Sequence, residues 1–368
     1  MTFTALHLIV LTLVVILTTS VTLRILTPIA RSIHLVDMPN RRKLHAGEIP
    51  LIGGVSVFVG CIAGTFLLYF YFGQLTPEET RFWFAASVFV IMGVYDDSRD
   101  LSVRLRVLLQ TSVIAALVWL GGLPITDLGL LLGAEFGRVE LGIFAFIFSV
   151  IAIVGIVNAF NMVDGIDGLL GGLALVALTS IVVLAWHDGA YVLLSVAGVL
   201  LLALIPFLFC NLLPNLTRCP KVFMGDAGSL FIGLTIAWLL IMGTQPDALL
   251  NAVENGTAIA LNETVFRPVT ALWLVALPLM DTITVIIRRL SGGRNPFKAD
   301  REHLHHFFIR LGLQQHQALL LIVSAASLFA VVGVWSEMRA VQEWIMFVSF
   351  LVLFCVYYLT LAIAWRRL

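Results

Sequence analysis

Long apolar runs recur along the whole chain, and short polar connections separate them. A transmembrane helix needs about 20 mainly apolar residues, because the hydrocarbon core of a bilayer is about 30 Å thick. Eleven runs approach that length, although the run at 228–243 is short for a full crossing. Their centres lie near residues 14, 61, 88, 112, 150, 177, 200, 235, 278, 327 and 354. The pattern predicts an all-α, polytopic helical membrane protein with about 11 transmembrane helices, in which residues 1–368 form a single integral-membrane domain.

The composition excludes an ordinary soluble protein. Hydrophobic residues make up 60% of the chain and charged residues only 12%, whereas about 25% of a soluble chain is charged. The formal net charge is zero, so bulk charge gives no reason to expect a nucleic-acid partner. The four cysteines are scattered and form no Cys-x-x-Cys motif. We therefore expect neither a disulfide nor a zinc site.

Lysine and arginine fall mostly on one set of alternate connections between the apolar runs. That set holds 18 of the 22 basic residues. Because cytoplasmic connections carry an excess of Lys and Arg, we expect the N-terminus outside and the C-terminus in the cytoplasm. The expected cytoplasmic active-site loops lie near residues 24–50, 96–106, 158–168, 211–229 and 289–316.

A polar stretch separates two apolar runs in the middle of the chain. It runs from Asn158 to Asp167 and also contains Asn161 and Asp164. A charged side chain beside hydrocarbon costs roughly 3 kcal/mol on insertion scales, which favours a functional explanation. Carboxylate and amide oxygens suit Mg²⁺ or Mn²⁺ better than zinc. The alternative is a polar connector that caps two helix ends, where Asn and Asp are favoured.

Further acidic and amide side chains stand at the same expected face. Asp96 and Asp97 end the third apolar run, and Asn211 ends the seventh. Asp226 opens the eighth run with glycines on both sides, which lets backbone and ligand approach closely. Asp96, Asp97 and Asp226 also fit a simple helix end or cap. Asp281 differs because it lies inside the ninth run; it lines the floor of a cavity or pairs with an internal partner.

The largest expected cytoplasmic loop, residues 288–306, is basic and ends in three histidines around one leucine. Guanidinium and imidazole groups bind phosphate, although a zinc cluster or a plain topology signal also fits such a loop. Together with hard-oxygen ligands on one face, the loop indicates phosphoryl transfer, in which a divalent ion and cations offset the charge of the transferring group. A transporter is the rival prediction, but it requires ionisable groups near mid-span.

Four ordered motifs carry a resemblance to a known family: Asp96-Asp97, Asn158-Ala-Phe-Asn-Met-Val-Asp-Gly-Ile-Asp-Gly, Phe223-Met-Gly-Asp-Ala-Gly-Ser and Arg301-x-His-x-His-His. With this order and spacing, the chain resembles the polyprenyl-phosphate N-acetylhexosamine-1-phosphate transferases over nearly its whole length. The muramoyl-pentapeptide branch usually has three successive histidines in the last motif. The chain therefore looks most similar to the bacterial branch that uses undecaprenyl phosphate and N-acetylglucosamine.

The resemblance implies roles for individual residues. It implies a Mg²⁺ site, with Mn²⁺ as the alternative, whose ligands are Asp226 and Asn161. The implied catalytic residues are Asp96, Asp97, Asp164, His303, His305 and His306. The implied substrate-binding residues are Arg106, Asn158, Asp167, Asn211, Phe223 and Arg301, with Asp167 and Phe223 holding the uracil. Arg106 is our choice for the phosphate contact, because the lysine that the muramoyl branch carries soon after its Asp-Asp is absent here.

The resemblance also implies a reaction. N-acetylglucosamine-1-phosphate would pass from UDP-N-acetylglucosamine to undecaprenyl phosphate, releasing UMP and forming the first lipid-linked intermediate of a cell-surface polysaccharide such as O-antigen lipopolysaccharide. Another UDP-N-acetylhexosamine or UDP-muramoyl-pentapeptide stays open as the donor. The expected partners are these two substrates and the lipid bilayer, and the expected location is the bacterial cytoplasmic (inner) membrane. Monomer and homodimer both stay open.

Overall fold

The computed structural model describes residues 5–38, 47–73, 76–214, 219–245, 264–294 and 302–367. These residues form thirteen α-helices, two 3₁₀ turns and an antiparallel ribbon of β1 (Val36–Asp37) and β2 (Ile49–Pro50). The helices are α1 (Ala5–Ser32), α2 (Gly53–Phe72), α3 (Pro77–Arg99), α4 (Val103–Gly121), α5 (Ala145–Val163), α6 (Leu169–Asp188), α7 (Tyr191–Leu212), α8 (Gly225–Thr244), α9 (Pro268–Leu274), α10 (Ala276–Ser291), α11 (Leu304–Arg310), α12 (Gln315–Met338) and α13 (Glu343–Arg367).

A helix covers each of the eleven predicted span centres. Within the described ranges, nine helices are long and apolar enough to cross a membrane, and the bent pair α9–α10 makes a tenth candidate. Of the two other helices, α11 has only 7 residues, and α3 has 23 residues but carries charged side chains in its first and last turns. The predicted all-α, polytopic membrane architecture is confirmed, and the orientation of its termini stays a prediction.

Helix α8 lies at the centre of the bundle. Every residue from Ala227 to Thr244 is buried, and the helix packs against α2, α3, α5, α6 and α7. Glycines permit the close crossings over its first turn. A Cβ at Gly54 would lie 2.1 Å from the Gly228 nitrogen, and one at Gly93 would lie 2.3 Å from the Ala227 Cα. Close backbone approach through small residues is how membrane helices gain packing contacts, and here it fixes the start of α8 against α2 and α3.

The ninth apolar run is broken into two helices. α9 and α10 meet at Val275 with a bend of 81°. Pro278 explains the position of the break, because it has no N–H to donate to the carbonyl of Leu274, one turn earlier. Beyond the break, Asp281 lies in the interior with only 3% of its surface exposed.

One sequence expectation about the cysteines is wrong. Cys210, near the end of α7, and Cys219 form a disulfide, with their Cα atoms 5.4 Å apart. The chain segment that follows Cys219 folds back onto the end of α7, where the Asn211 amide donates to the Val222 carbonyl over 2.9 Å. Sequence spacing does not reveal this reversal. Cys61 and Cys355 are free, as expected.

Candidate active site

The polar motifs converge at one end of the bundle, where α3 ends at Arg99, α5 ends at Val163 and α8 begins at Gly225; we call it the polar end. Asp97 joins two of these helices. Its Oδ1 accepts the backbone N–H of Asp226 over 2.9 Å, and its Oδ2 accepts that of Ala227 over 3.4 Å. A carboxylate satisfies the free N–H groups of a helix start and complements its dipole. Asp97 therefore caps α8 from a neighbouring helix.

Arg106 is the cation that links the acidic side chains. Its Nη1 lies 3.0 Å from Asp96 Oδ2 and 3.5 Å from Asp226 Oδ2. Asp96 is buried, and its other oxygen accepts the Leu101 backbone N–H over 2.8 Å at the end of α3. The Asp96 carboxylate is thus engaged on both oxygens, and it holds Arg106 in place beside Asp226.

Asn161, one of the two implied metal ligands, lies in contact with the other. Its Nδ2 donates to Asp226 Oδ1 over 2.6 Å and to Ser229 Oγ over 2.8 Å. The contact joins the last turn of α5 to the first turn of α8. Sequence analysis did not single out the Ser229 hydroxyl, although it lies one helical turn after Asp226 on the same face.

The donor set at this contact fits a hard divalent ion that is shared with a phosphate ligand. In the part of the chain that the structure describes, no three His, Cys, Asp or Glu side chains are grouped to hold an ion by themselves. Mg²⁺ does not need such a group, because it is usually bound by one or two carboxylates together with substrate phosphates and water. Arg106 contacts Asp96 and Asp226, and Asp97 adds a third carboxylate nearby. This surplus of negative charge favours a cation.

Asp164 stands in the turn between α5 and α6. Its surface is exposed, yet crowding by protein atoms, then the carboxylates of Asp226 and Asp167, raises the pKa of Asp164 to about 7. A carboxyl group with this pKa exchanges a proton near neutral pH. Such a group suits proton transfer better than permanent binding of a cation.

Two of the implied substrate-binding amides hold protein groups instead. Asn158 donates to the Gln110 side chain over 3.1 Å and to the Val154 carbonyl over 2.8 Å. Asn211 is buried, accepts the Gly168 backbone N–H over 2.7 Å and donates to the Val222 carbonyl. Asn211 therefore ties the 158–168 turn to the segment before α8, which positions both motifs.

Asp167 and Phe223, the residues implied to hold uracil, are joined by a lysine that the sequence analysis did not single out. Lys221 Nζ lies 2.5 Å from Asp167 Oδ2 and 5.5 Å from the centre of the Phe223 ring. The ribbon and the start of α2 fix the backbone of Phe223, because its N–H donates to the Pro50 carbonyl and its carbonyl accepts the Gly53 N–H, both over 2.9 Å. Proximity to the motif was the only signal for Lys221.

The three histidines pack against the 158–168 turn. His303 and His305 are buried, and their rings are parallel with centres 6.0 Å apart; the His306 ring lies 4.1 Å from that of His305. A Cβ at Gly165 would lie 2.1 Å from His305 Nε2, so only glycine admits this contact. Burial, then the neighbouring His306 and His303, lowers the pKa of His305 to about 2. His305 is therefore a neutral imidazole. Arg301 lies outside the described residues.

Comparisons with known proteins agree with this convergence. The model of a family described as glycosyl transferase family 4 matches residues 80–244. An undecaprenyl-phosphate alpha-N-acetylglucosaminyl 1-phosphate transferase from Haemophilus influenzae is 39% identical over 347 residues, 94% of this chain and 91% of that protein. A protein of the same name from Pasteurella multocida is 41% identical over 345 residues, with the same coverage. For the Escherichia coli K12 protein of that name the identity is 39% over 339 residues, 92% of this chain and 86% of that protein.

Proposed function

The chain belongs to glycosyl transferase family 4, and on that premise we propose that it transfers N-acetylglucosamine-1-phosphate from UDP-N-acetylglucosamine to undecaprenyl phosphate and releases UMP. One structural observation carries the proposal beyond similarity. Asp226 contacts Arg106, Asn161 and Asp97 at the same end of the bundle as the histidines. Acids for a divalent ion and a fixed guanidinium are what phosphoryl transfer requires.

The nucleophile is an oxygen of the lipid phosphate, which attacks the phosphorus attached to the sugar. The bond from that phosphorus to the bridging oxygen breaks, and UMP leaves with the electron pair. A phosphate monoester has its second pKa near ~6, so most of the lipid phosphate is dianionic at neutral pH and needs no strong base. Asp164, with its pKa raised to about 7, takes the proton from the monoprotonated fraction.

The leaving group gains negative charge, and the polar end offers two means of offsetting it. Arg106, held by Asp96 and facing Asp226, provides a fixed positive charge that needs no reorganisation during the reaction. Bound by Asp226 and Asn161, Mg²⁺ would neutralise charge on the diphosphate. Asp97 fixes the backbone of Asp226 and so determines where this ion would bind.

The nucleotide base is assigned to the group formed by Lys221, Asp167 and Phe223. An aromatic ring stacks on a base, worth roughly 1–3 kcal/mol for nucleobases on aromatic side chains. The Asp167 carboxylate accepts the single N–H group of uracil, and Lys221 holds that carboxylate beside the ring. Specificity for uracil thus comes from residues separate from those at the reacting phosphorus.

The polar end is proposed to face the cytoplasm of a bacterium, in its inner membrane. The donor is a water-soluble nucleotide and the acceptor is a lipid, so the reaction belongs at a membrane surface. Most of the lysine and arginine residues lie in connections on the same side as the motifs, and that side is normally cytoplasmic.

The experiment is a transfer assay with purified protein in detergent, undecaprenyl phosphate, Mg²⁺ and a panel of UDP-sugars, scored by release of UMP. We expect turnover with UDP-N-acetylglucosamine and none with UDP-muramoyl-pentapeptide. Glu135→Gln is a matched control, because Glu135 is an exposed acid in the connection between α4 and α5, at the opposite end. Counterflow of intact UDP-sugar in vesicles without UMP release would replace the transferase with a transporter.

A further inference from the structure

Asp281 is a buried carboxylate that the proposed mechanism does not use. It lies inside α10 with 3% of its surface exposed, and a carboxylate at that depth is costly unless its oxygens are paired. Three donors meet it, two from adjacent residues at the start of α11 and one from α13. His303 Nδ1 lies 2.8 Å from Oδ2, while Oδ1 accepts the Leu304 backbone N–H over 3.0 Å and the Tyr357 hydroxyl over 3.3 Å.

The arrangement determines which nitrogen of His303 carries the proton. An ionised carboxylate only accepts hydrogen bonds, so the nitrogen that faces it, Nδ1, must be protonated. In the neutral ring, Nε2 is then the nitrogen left to accept a hydrogen bond. A partner on one ring nitrogen that sets the state of the other is the usual way in which proteins prepare a histidine for binding or catalysis.

The same carboxylate starts the helix that carries the other histidines. α11 begins at Leu304, and the side chain of its N-cap residue, His303, makes no capping bond; the Leu304 N–H is satisfied by Asp281. α13 fastens the segment a second time, because the Trp365 ring lies 4.8 Å from the Arg288 guanidinium at the end of α10 and 4.7 Å from that of Arg310 at the end of α11. The histidine segment is thereby held between α10 and α13.

From this geometry, and given the proposed transferase function, we propose that Asp281 is the positioning residue of the histidine segment: it fixes His303 as the Nδ1–H tautomer and sets the start of α11. A carboxylate that orients a histidine is worth roughly 10- to 100-fold in activity where it has been removed beside metal-bound histidines. Asp281 does not touch the substrates in this account; it acts through His303.

Asp281→Asn is the test, because a carboxamide keeps the volume but has a single acceptor oxygen. If that oxygen stays with Leu304 and Tyr357, its NH₂ group faces His303 Nδ1 and forces the opposite tautomer. We expect kcat to fall 10- to 100-fold with little change in the KM for UDP-N-acetylglucosamine, while Glu135→Gln keeps the wild-type rate. In a His303→Gln background, Asp281→Asn should lower kcat by less than a further 3-fold. If Asp281→Asn lowers kcat by the same factor with and without His303, the effect is a general structural one and the proposal is overturned.

A second measurement does not depend on turnover or on the folding of an Asp281 variant. In the wild-type protein labelled with ¹⁵N-histidine, and assigned by comparison with His303→Gln, His303 should show a protonated Nδ1 and an unprotonated Nε2. A bare Nδ1 in the wild type would overturn the proposal even if the enzyme is active. Absence of UMP release from the wild-type protein would instead reject the proposed function, and it would leave the tautomer result standing.

Discussion

The Asp97 carboxylate accepts the backbone N–H of Asp226 over 2.9 Å, so the acid that ends α3 fixes the acid that opens α8. The Asp96-Asp97 motif and the motif that contains Asp226 therefore form one structural unit. Gly225 makes the contact possible: it has φ +72°, and a Cβ at this position would lie 2.5 Å from Asp97 Oδ2.

Gly225→Ala should therefore displace the Asp97 cap. The positive φ alone costs an alanine roughly 1–2 kcal/mol, and the clash pushes the carboxylate away from the α8 amides. We expect a lower melting temperature in detergent and at least a 10-fold loss of UMP release. Gly155→Ala is the matched control, because that helical glycine has no atom within 4 Å of its added Cβ. If the two variants have the same melting temperature and the same rate of UMP release, the Asp97 cap contributes to neither stability nor activity.

Asp226→Asn should abolish turnover while the protein stays folded. The carboxamide keeps the shape of the side chain but removes the charge that a hard divalent ion requires, and a loss of at least about 100-fold is expected from a lost electrostatic contact of this kind. Asn161→Ala should act in the same direction and leave residual activity, since a neutral amide contributes less. Titration of UMP release with Mg²⁺ checks the assignment; a near-normal rate with unchanged metal dependence in Asp226→Asn would refute it.

The apolar pattern was sufficient to predict a helix at each span centre and the clustering of acids and amides at helix ends. It did not predict how those ends meet. The Asp97–Asp226 cap, the Asn211 bonds to two loops and the Cys210–Cys219 disulfide all depend on the register between distant helices. Local propensity contains no information on that register. Asp281 shows the same limit. The sequence left open whether it lines a cavity or pairs with an internal partner, and that choice depends on which element packs against α10.

Lys221→Met should weaken nucleotide binding more than it slows the reaction. The change removes the ion pair with Asp167 and the cation over the Phe223 ring, and a cation–π contact contributes roughly 0.5–1 kcal/mol at a partly exposed site. We expect the KM for UDP-N-acetylglucosamine and the Kd for UMP to rise about 3- to 10-fold with kcat changed less. Arg138→Gln removes a comparable ion pair, with Asp127, at the opposite end and serves as control. A fall in kcat alone would place Lys221 at the reacting phosphates.

Labelling from one side of the membrane tests the orientation. Ser98 and Ala134 are exposed at opposite ends of the bundle. In a background with the four cysteines changed to serine and activity retained, Ala134→Cys should react with an impermeant maleimide in intact cells. Ser98→Cys should react only after permeabilisation. The reverse pattern would put the polar end outside and remove the basis for a cytoplasmic nucleotide site.

The neutral state of His305 should make stability depend on pH. Its pKa is lowered from the usual 6.5 to about 2, so below pH 6.5 the unfolded chain binds a proton at this position and the folded protein does not. Stability is then lost as the pH falls through 6.5, by about 1.4 kcal/mol between pH 7.5 and 5.5 from this group. Melting temperatures in detergent should fall over that interval in the wild type and fall less in His305→Gln. His316→Gln, which removes an exposed histidine, should keep the wild-type dependence. If His305→Gln and the wild type show the same slope, His305 is protonated in the folded protein, and its packing against Gly165 does not hold it neutral.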